Sequence, residues 1–375
     1  MVLLRTITLI TCLLVPPCFA TPTMFELSRQ GTHLRLIGDF ERAAEIESTL
    51  IANAGIPIGH IFALNTIVTH LTWDETRVEY DDALIAHAQA VLAWCEPRHG
   101  KSALAGFYCG QATFALSFHH ALKGRYIRAG RLGSQTIEYL EAALEIDPTM
   151  IDAKMHLGVA YYIADNLPPF VRMFSRFLWF IPSGNSDKSL PYLLDVMERG
   201  DEYPDVARYI YSTLLLDDDE QRYRAREQLQ ILVDRYPRNA RFQLRLISLL
   251  LMEGDFDETL ATAERYLESG PVEPDLSLAR VWMVRACLGL NRPDEARHLF
   301  AQIDPMFRYG RQDLPGWSIA WHMLTDGQLN DLAGHRREAQ ESYAEIIAMA
   351  GSTYVNQAIL DAARSGLLAP YRLKQ

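Results

Sequence analysis

The sequence predicts an all-α protein, a right-handed α-solenoid of about six or seven antiparallel helix pairs. Three observations carry that prediction. Apolar residues recur at spacings of three and four, and alternating Val/Ile/Thr runs bounded by Asn-Gly or Asp-Gly do not occur. Pro, Gly or Asp-Pro punctuates the chain every ten to twenty residues. Small and large residues also recur in a fixed order: Asp147-Pro148, then Ala153, Leu157-Gly158 and Ala160-Tyr161-Tyr162. One isolated helix has no need of that order, whereas a helix packed between similar helices does.

Composition narrows the class. Hydrophobic residues make up 49% of the 375 and charged residues 22%, which is globular. The net charge is −11, and the basic residues form no phosphate footprint, so a nucleic-acid partner is not expected.

The chain opens on a predicted signal peptide, residues 1–20. Arg5 supplies the positive start, Thr6 to Val15 an apolar run too short to span a bilayer, and Cys18-Phe19-Ala20 a cleavage site. An exported, periplasmic protein is the expectation. Three cysteines then remain: Cys95, Cys109 and Cys287. With a turn at Pro97 to Lys101, a Cys95–Cys109 bridge falls out of register by about 9 Å. Buried, unbridged cysteines are therefore expected.

Residues 21–138 predict irregular helical repeats, with Ala83, Ala86, Ala90 and Trp94 as one apolar face. Residues 139–205 predict a repeat carrying an inserted apolar helix. On that helix Phe170, Met173, Phe174, Phe177, Leu178 and Ile181 share a face suited to packing, to a partner or to a membrane surface. Residues 206–350 predict regular repeats, and 351–375 a capping helix and tail. "GDFERA" from Gly38 recurs as "GDFDET" from Gly254, and Ala225 precedes Thr259 by 34 residues. "NRPDEA" and "GHRREA" end later units at Ala296 and Ala339.

These spacings resemble the tetratricopeptide-repeat family, with "DPTMIDAKMHLGVAYY" the closest segment. The resemblance implies that Gly158, Ala160, Ala225, Ala296 and Ala339 let helices approach, and that Phe40, Tyr161, Phe256 and Tyr343 fill the gaps beside them. Bacterial tetratricopeptide proteins share a Gly-x-Tyr-x-Gly-like segment, here Gly106 to Gly110. The stretch from Ala164 to Leu193 is similar to an element of a eukaryotic tetratricopeptide family linked to inclusion-body clearance at lipid droplets. That similarity covers only some thirty residues.

The resemblance also implies a concave groove lined by the first helix of each pair. Alignment places Arg241, Leu244, Arg245 and Ser248 on it, with Val281, Trp282 and Arg285 beside them. Guanidinium groups and a Trp suit an acidic or extended peptide. Alternatively these arginines pair with the array's own acids, such as Glu253 or Asp255. Val159, Ser248 and Arg285 stand where the family's carboxylate clamp has Asn, so chaperone-tail binding is not indicated.

No nucleophile elbow, Walker loop, His-Glu-x-x-His or Cys-x-x-Cys occurs, and His119-His120 point about 100° apart on a helix. No catalytic residue, metal or cofactor is therefore assigned. The expected function is a non-catalytic protein-interaction scaffold or adaptor in the cell envelope. Two alternatives stand: a membrane-surface assembly or secretion factor using the 167–181 helix, and an enzyme with an unrecognised site.

Overall fold

The computed structural model describes residues 22–52, 55–166, 186–216, 218–303, 314–350 and 355–373. The predicted signal segment and the apolar 167–181 helix, with Phe170, Met173, Phe174, Phe177, Leu178 and Ile181, lie outside the described residues. Among the described residues there are seventeen α-helices and no strand. In order they are α1 Met24–Ile37, α2 Phe40–Ile51, α3 Ile58–Trp73, α4 Asp81–Cys95, α5 Ala103–Leu122, α6 Tyr126–Ile146, α7 Ala153–Asp165 and α8 Ser186–Arg199. There follow α9 Pro204–Leu214, α10 Arg222–Arg235, α11 Ala240–Glu253, α12 Phe256–Glu268, α13 Asp275–Gly289, α14 Pro293–Phe300, α15 Gly316–Leu332, α16 Arg336–Met349 and α17 Gln357–Leu368.

The Gly-Asp signature is a helix-to-helix turn. Gly38 ends α1 at φ 86°, and Asp39 then accepts the Arg42 N–H to open α2. Gly254 (φ 77°) stands at the same place in a later pair. Asn291, at φ 58°, explains why "NRPDEA" works without glycine, since Asn tolerates the left-handed region.

Each helix packs on its successor wherever both are described in sequence, and the odd-numbered helices add a second contact. α1 touches α3, α3 touches α5, α5 touches α7, α11 touches α13, α13 touches α15 and α15 touches α17. Within the runs α1 to α7 and α11 to α17 the odd helices thus form one layer and the even helices the other. Among the described residues eight pairs and the terminal α17 form an α-solenoid of tetratricopeptide-like pairs, one or two pairs more than expected. The surplus lies before residue 147. There α1 and α3 begin 34 residues apart (58 − 24), a regular period, whereas α5 and α6 are stretched to 20 and 21 residues.

Buried residues fall into two cores that meet at α11. One runs from Leu50 to Leu250, the other from Leu244 to Ala363. Ala225, Ala296 and Ala339 are fully buried at crossings, and the Tyr343 ring lies against Gly327 and Gly366. Phe256 likewise packs on Gly289. Phe40 departs from this scheme, since at 57% exposure it fills no gap. On α4 the alanine face is also wrong. Leu84, Ala88, Val91 and Cys95 point inward, while Ala83 and Ala86 are exposed, because the larger apolar side chains gain more from burial.

Cys95 and Cys109 are joined by a disulfide with their Cα atoms 5.6 Å apart, against the expectation of free thiols. The chain keeps turning helically beyond Cys95, with the Arg98 and His99 N–H groups both donating to its carbonyl. The reversal therefore comes near Gly100 rather than Pro97, and the extra turn reduces the register offset. Cys287 is free and buried.

The array also folds back on itself. Ser28 and Thr32 of α1 donate to the Glu202 carboxylate, 2.7 and 3.2 Å away. The Asn239 side-chain amide donates to the Leu36 carbonyl at 2.9 Å. The Trp317 indole N–H donates to the Trp73 carbonyl at 3.0 Å. Helices 170 to 244 residues apart are thereby in contact.

Candidate binding surface

The start of α11 is held by Asn239, whose side-chain oxygen accepts the Arg241 and Phe242 N–H groups. This fixes Arg241 at the end of α3. Its guanidinium lies 5.2 Å from the Trp73 ring centroid and donates to the Thr72 hydroxyl at 3.3 Å. Arg245 stands one turn further along α11 beside Tyr209, and the Ser248 hydroxyl donates to the Arg245 carbonyl.

Four of the chain's six tryptophans meet next to this row. Trp73 and Trp317 sit edge to face at 5.2 Å, Trp317 and Trp282 are stacked at 6.4 Å, and Trp282 and Trp321 sit edge to face at 5.3 Å. Arg285 closes the ladder, its guanidinium 4.2 Å from the Trp321 centroid and 3.5 Å from the Gln328 side-chain oxygen. An arginine thus stands at each end of a tryptophan ladder. The Trp282 Nε1 and Arg285 Nε donors are both buried and meet no acceptor.

Burial pushes the Arg285 guanidinium down to about 10, still positive at neutral pH, with Tyr371 opposing the change. Burial also lowers Arg241, and Tyr209 and Asp275 partly offset it. Asp275, at the start of α13, is pushed up to about 6 by burial, against the pull of Arg241 and with a further push from Glu273. Burial raises Tyr209, yet the charges of Arg245 and Arg241 outweigh it and hold the phenol below its usual range.

The sequence-derived groove is therefore only partly a surface. Arg241, Arg245, Ser248 and Arg285 are half-buried, but Leu244, Val281 and Trp282 are buried, at 2%, 1% and 4% exposure. The fold-back and the close approach of neighbouring odd helices cover them. The arginines do not pair with Glu253 or Asp255, which are both taken by Arg226 of α10. Among the described residues Arg241, Arg245 and Arg285 make no salt bridge. Sequence reasoning missed Trp73, Trp317 and Trp321. Trp317 lies 35 residues past Trp282, about one repeat, which is a usable signal; nothing in the sequence brings Trp73 there.

His119, His120 and His156 are all buried. His119 and His120 are buried on α5 with their rings 5.4 Å apart, and His119 faces Asp81 at 3.4 Å. His156 is buried against Phe107, Phe114 and Tyr203, and burial holds it down to about 4. Among the described residues no three His, Cys, Asp or Glu side chains are grouped as a metal site.

No protein-family model and no curated protein matches the sequence. Among solved structures, the chain is similar to the crystal structure of yeast Tom70. The identity is 12%, the match covers 92% of this chain and 82% of that one, and the TM-score is 0.42.

Proposed function

We propose that this chain is a non-catalytic protein-interaction scaffold of the cell envelope that binds an acidic, extended segment of a partner along its odd-helix layer. One observation carries the reading: Arg241, Arg245 and Arg285 line one layer of a chain of net charge −11 without a salt bridge among the described residues. Cations left without carboxylates beside flat aromatic rings attract acceptor-rich chains, and the aromatic faces hold apolar side chains between them. Export is supported by the apolar start of the sequence and by the Cys95–Cys109 bridge, since such bridges persist in oxidising compartments.

The test is photo-crosslinking in intact cells from a reactive residue at position 328, beside Arg285. A discrete partner adduct that disappears in Arg241→Glu/Arg245→Glu, with the thermal midpoint kept, is the expected result. Adduct formation indifferent to those substitutions would overturn the assignment.

A further inference from the structure

The expectation that no stretch concentrates basic residues fails at one place, and the fold holds that place at the surface. Between Glu96 and Glu138 there is no Asp or Glu, in a chain that has 47 of them. Within that interval Lys123, Arg125, Arg128 and Arg131 gather where α5 turns into α6.

This turn projects. α5 and α6 have 20 and 21 residues, against 15 for α4 and 13 for α7. Lys123 pairs with Asp81, the first residue of α4, at 2.7 Å, so α4 begins level with Lys123. The next five residues, Gly124 to Arg128, are all exposed. Tyr126 is 46% and Ile127 57% exposed, although both are large apolar side chains. Arg125 and Arg128 beside them have no carboxylate partner among the described residues. A shallow hollow continues along α6, lined by Arg128, Arg131, Leu132 and Gln135.

We propose that the tip of the α5–α6 hairpin, Gly124 to Arg128, docks the protein on a membrane surface carrying anionic phospholipid head groups. The shape selects a membrane over an acidic protein. A stable protein interface needs roughly 800 Å² per partner with matching relief, which a single helical tip lacks. A bilayer interface instead accepts a protruding aromatic and aliphatic pair between head groups while flanking arginines meet phosphates. The contact is peripheral, since among the described residues no helix is long and apolar enough to cross a membrane. It uses none of the residues of the arginine and tryptophan row.

Vesicle flotation of the full chain tests this, with phosphatidylglycerol-containing vesicles compared with pure phosphatidylcholine. The expected result is binding to the anionic vesicles only, weakened on the order of fivefold for each of Arg125 and Arg128 replaced by Ala. Tyr126→Ser/Ile127→Ser should weaken it as well, and Arg337→Glu on exposed α16 should not. Circular dichroism of every variant controls for folding. Equal binding to both vesicles, no binding to either, or binding indifferent to Arg125 and Arg128 would each overturn the proposal. Preferential capture by poly-glutamate, lost in the same variants, would overturn it in favour of an acidic protein.

Discussion

At the scale of single residues, the clearest consequences come from side chains held where water cannot reach. His156 has its Nδ1 buried without a partner among three aromatic rings, and burial lowers it to about 4 from its ordinary 6.5. Its depressed value means that the unfolded chain takes up the proton first as pH falls. Between about pH 6.5 and 4 this residue therefore withdraws stability, up to about 3 kcal/mol. Asp275, raised by burial to about 6, acts in the opposite sense, because the unfolded chain releases that proton first as pH rises. His156→Phe should flatten the acid limb of a denaturation-versus-pH curve relative to the parent protein. An unchanged limb would show that the ring is solvated.

Close approach gives a second residue-scale prediction. A Cβ on Gly59 would run into the backbone of Leu50 and Ile51, whereas one on Gly110 would meet only the Leu140 side chain. Backbone cannot yield as a side-chain end can, so Gly59→Ala should cost more than Gly110→Ala, by about 1–3 kcal/mol in chemical denaturation. The Cys95–Cys109 bridge closes a short loop and should contribute about 3 kcal/mol, seen as a lower thermal midpoint in Cys95→Ala/Cys109→Ala. Cys287, buried and pushed up to about 11, should resist thiol reagents until the protein unfolds.

At the scale of elements, the proposed binding row is built by the odd-numbered helices. Asp275 at the start of α13 carries its proton up to about pH 6, so the row formed with Arg241 and Arg245 of α11 becomes more positive as pH falls through that value. An acidic peptide that binds this row should bind more tightly at pH 5.5 than at 7.5, measured by calorimetry. In Asp275→Asn the tighter binding should be present at both pH values. A pH response that survives the substitution would place the titrating group elsewhere. The second helices were easier to read from sequence. α12, for example, has one buried and one exposed side, and its buried Thr259, Leu260 and Ala263 keep helical spacing. α3, α5, α13 and α15 are buried nearly all round, so their apolar residues carry no directional pattern, and the groove face assigned on α13 put Val281 and Trp282 on a surface where the structure buries them.

At the scale of the whole molecule, the fold-back alters how the array should unfold. A simple solenoid couples only neighbours, and its ends fray independently. Here the Trp317–Trp73 and Asn239–Leu36 hydrogen bonds tie the first two pairs to α11 and α15. Trp317→Phe, which removes the indole donor, should therefore lower hydrogen-exchange protection in α3 as well as in α15. Loss confined to α15 would mean that the tie carries no energy.

The sequence by itself determined the helix-pair repeat, its turns and its buried small residues, because a 34-residue period and the Gly-Asp turn are local chemistry. It also marked Arg241, Trp282 and Arg285 as belonging near one another, through equivalent positions in successive repeats. Only the tertiary structure decided that Trp73 joins them, that Cys95 reaches Cys109, and that the α5–α6 tip stands clear of its neighbours. The first depends on curvature summed over many pairs, which no local spacing records; the second depends on the helical turn that continues past Cys95, and the third on how far α5 and α6 outrun α4.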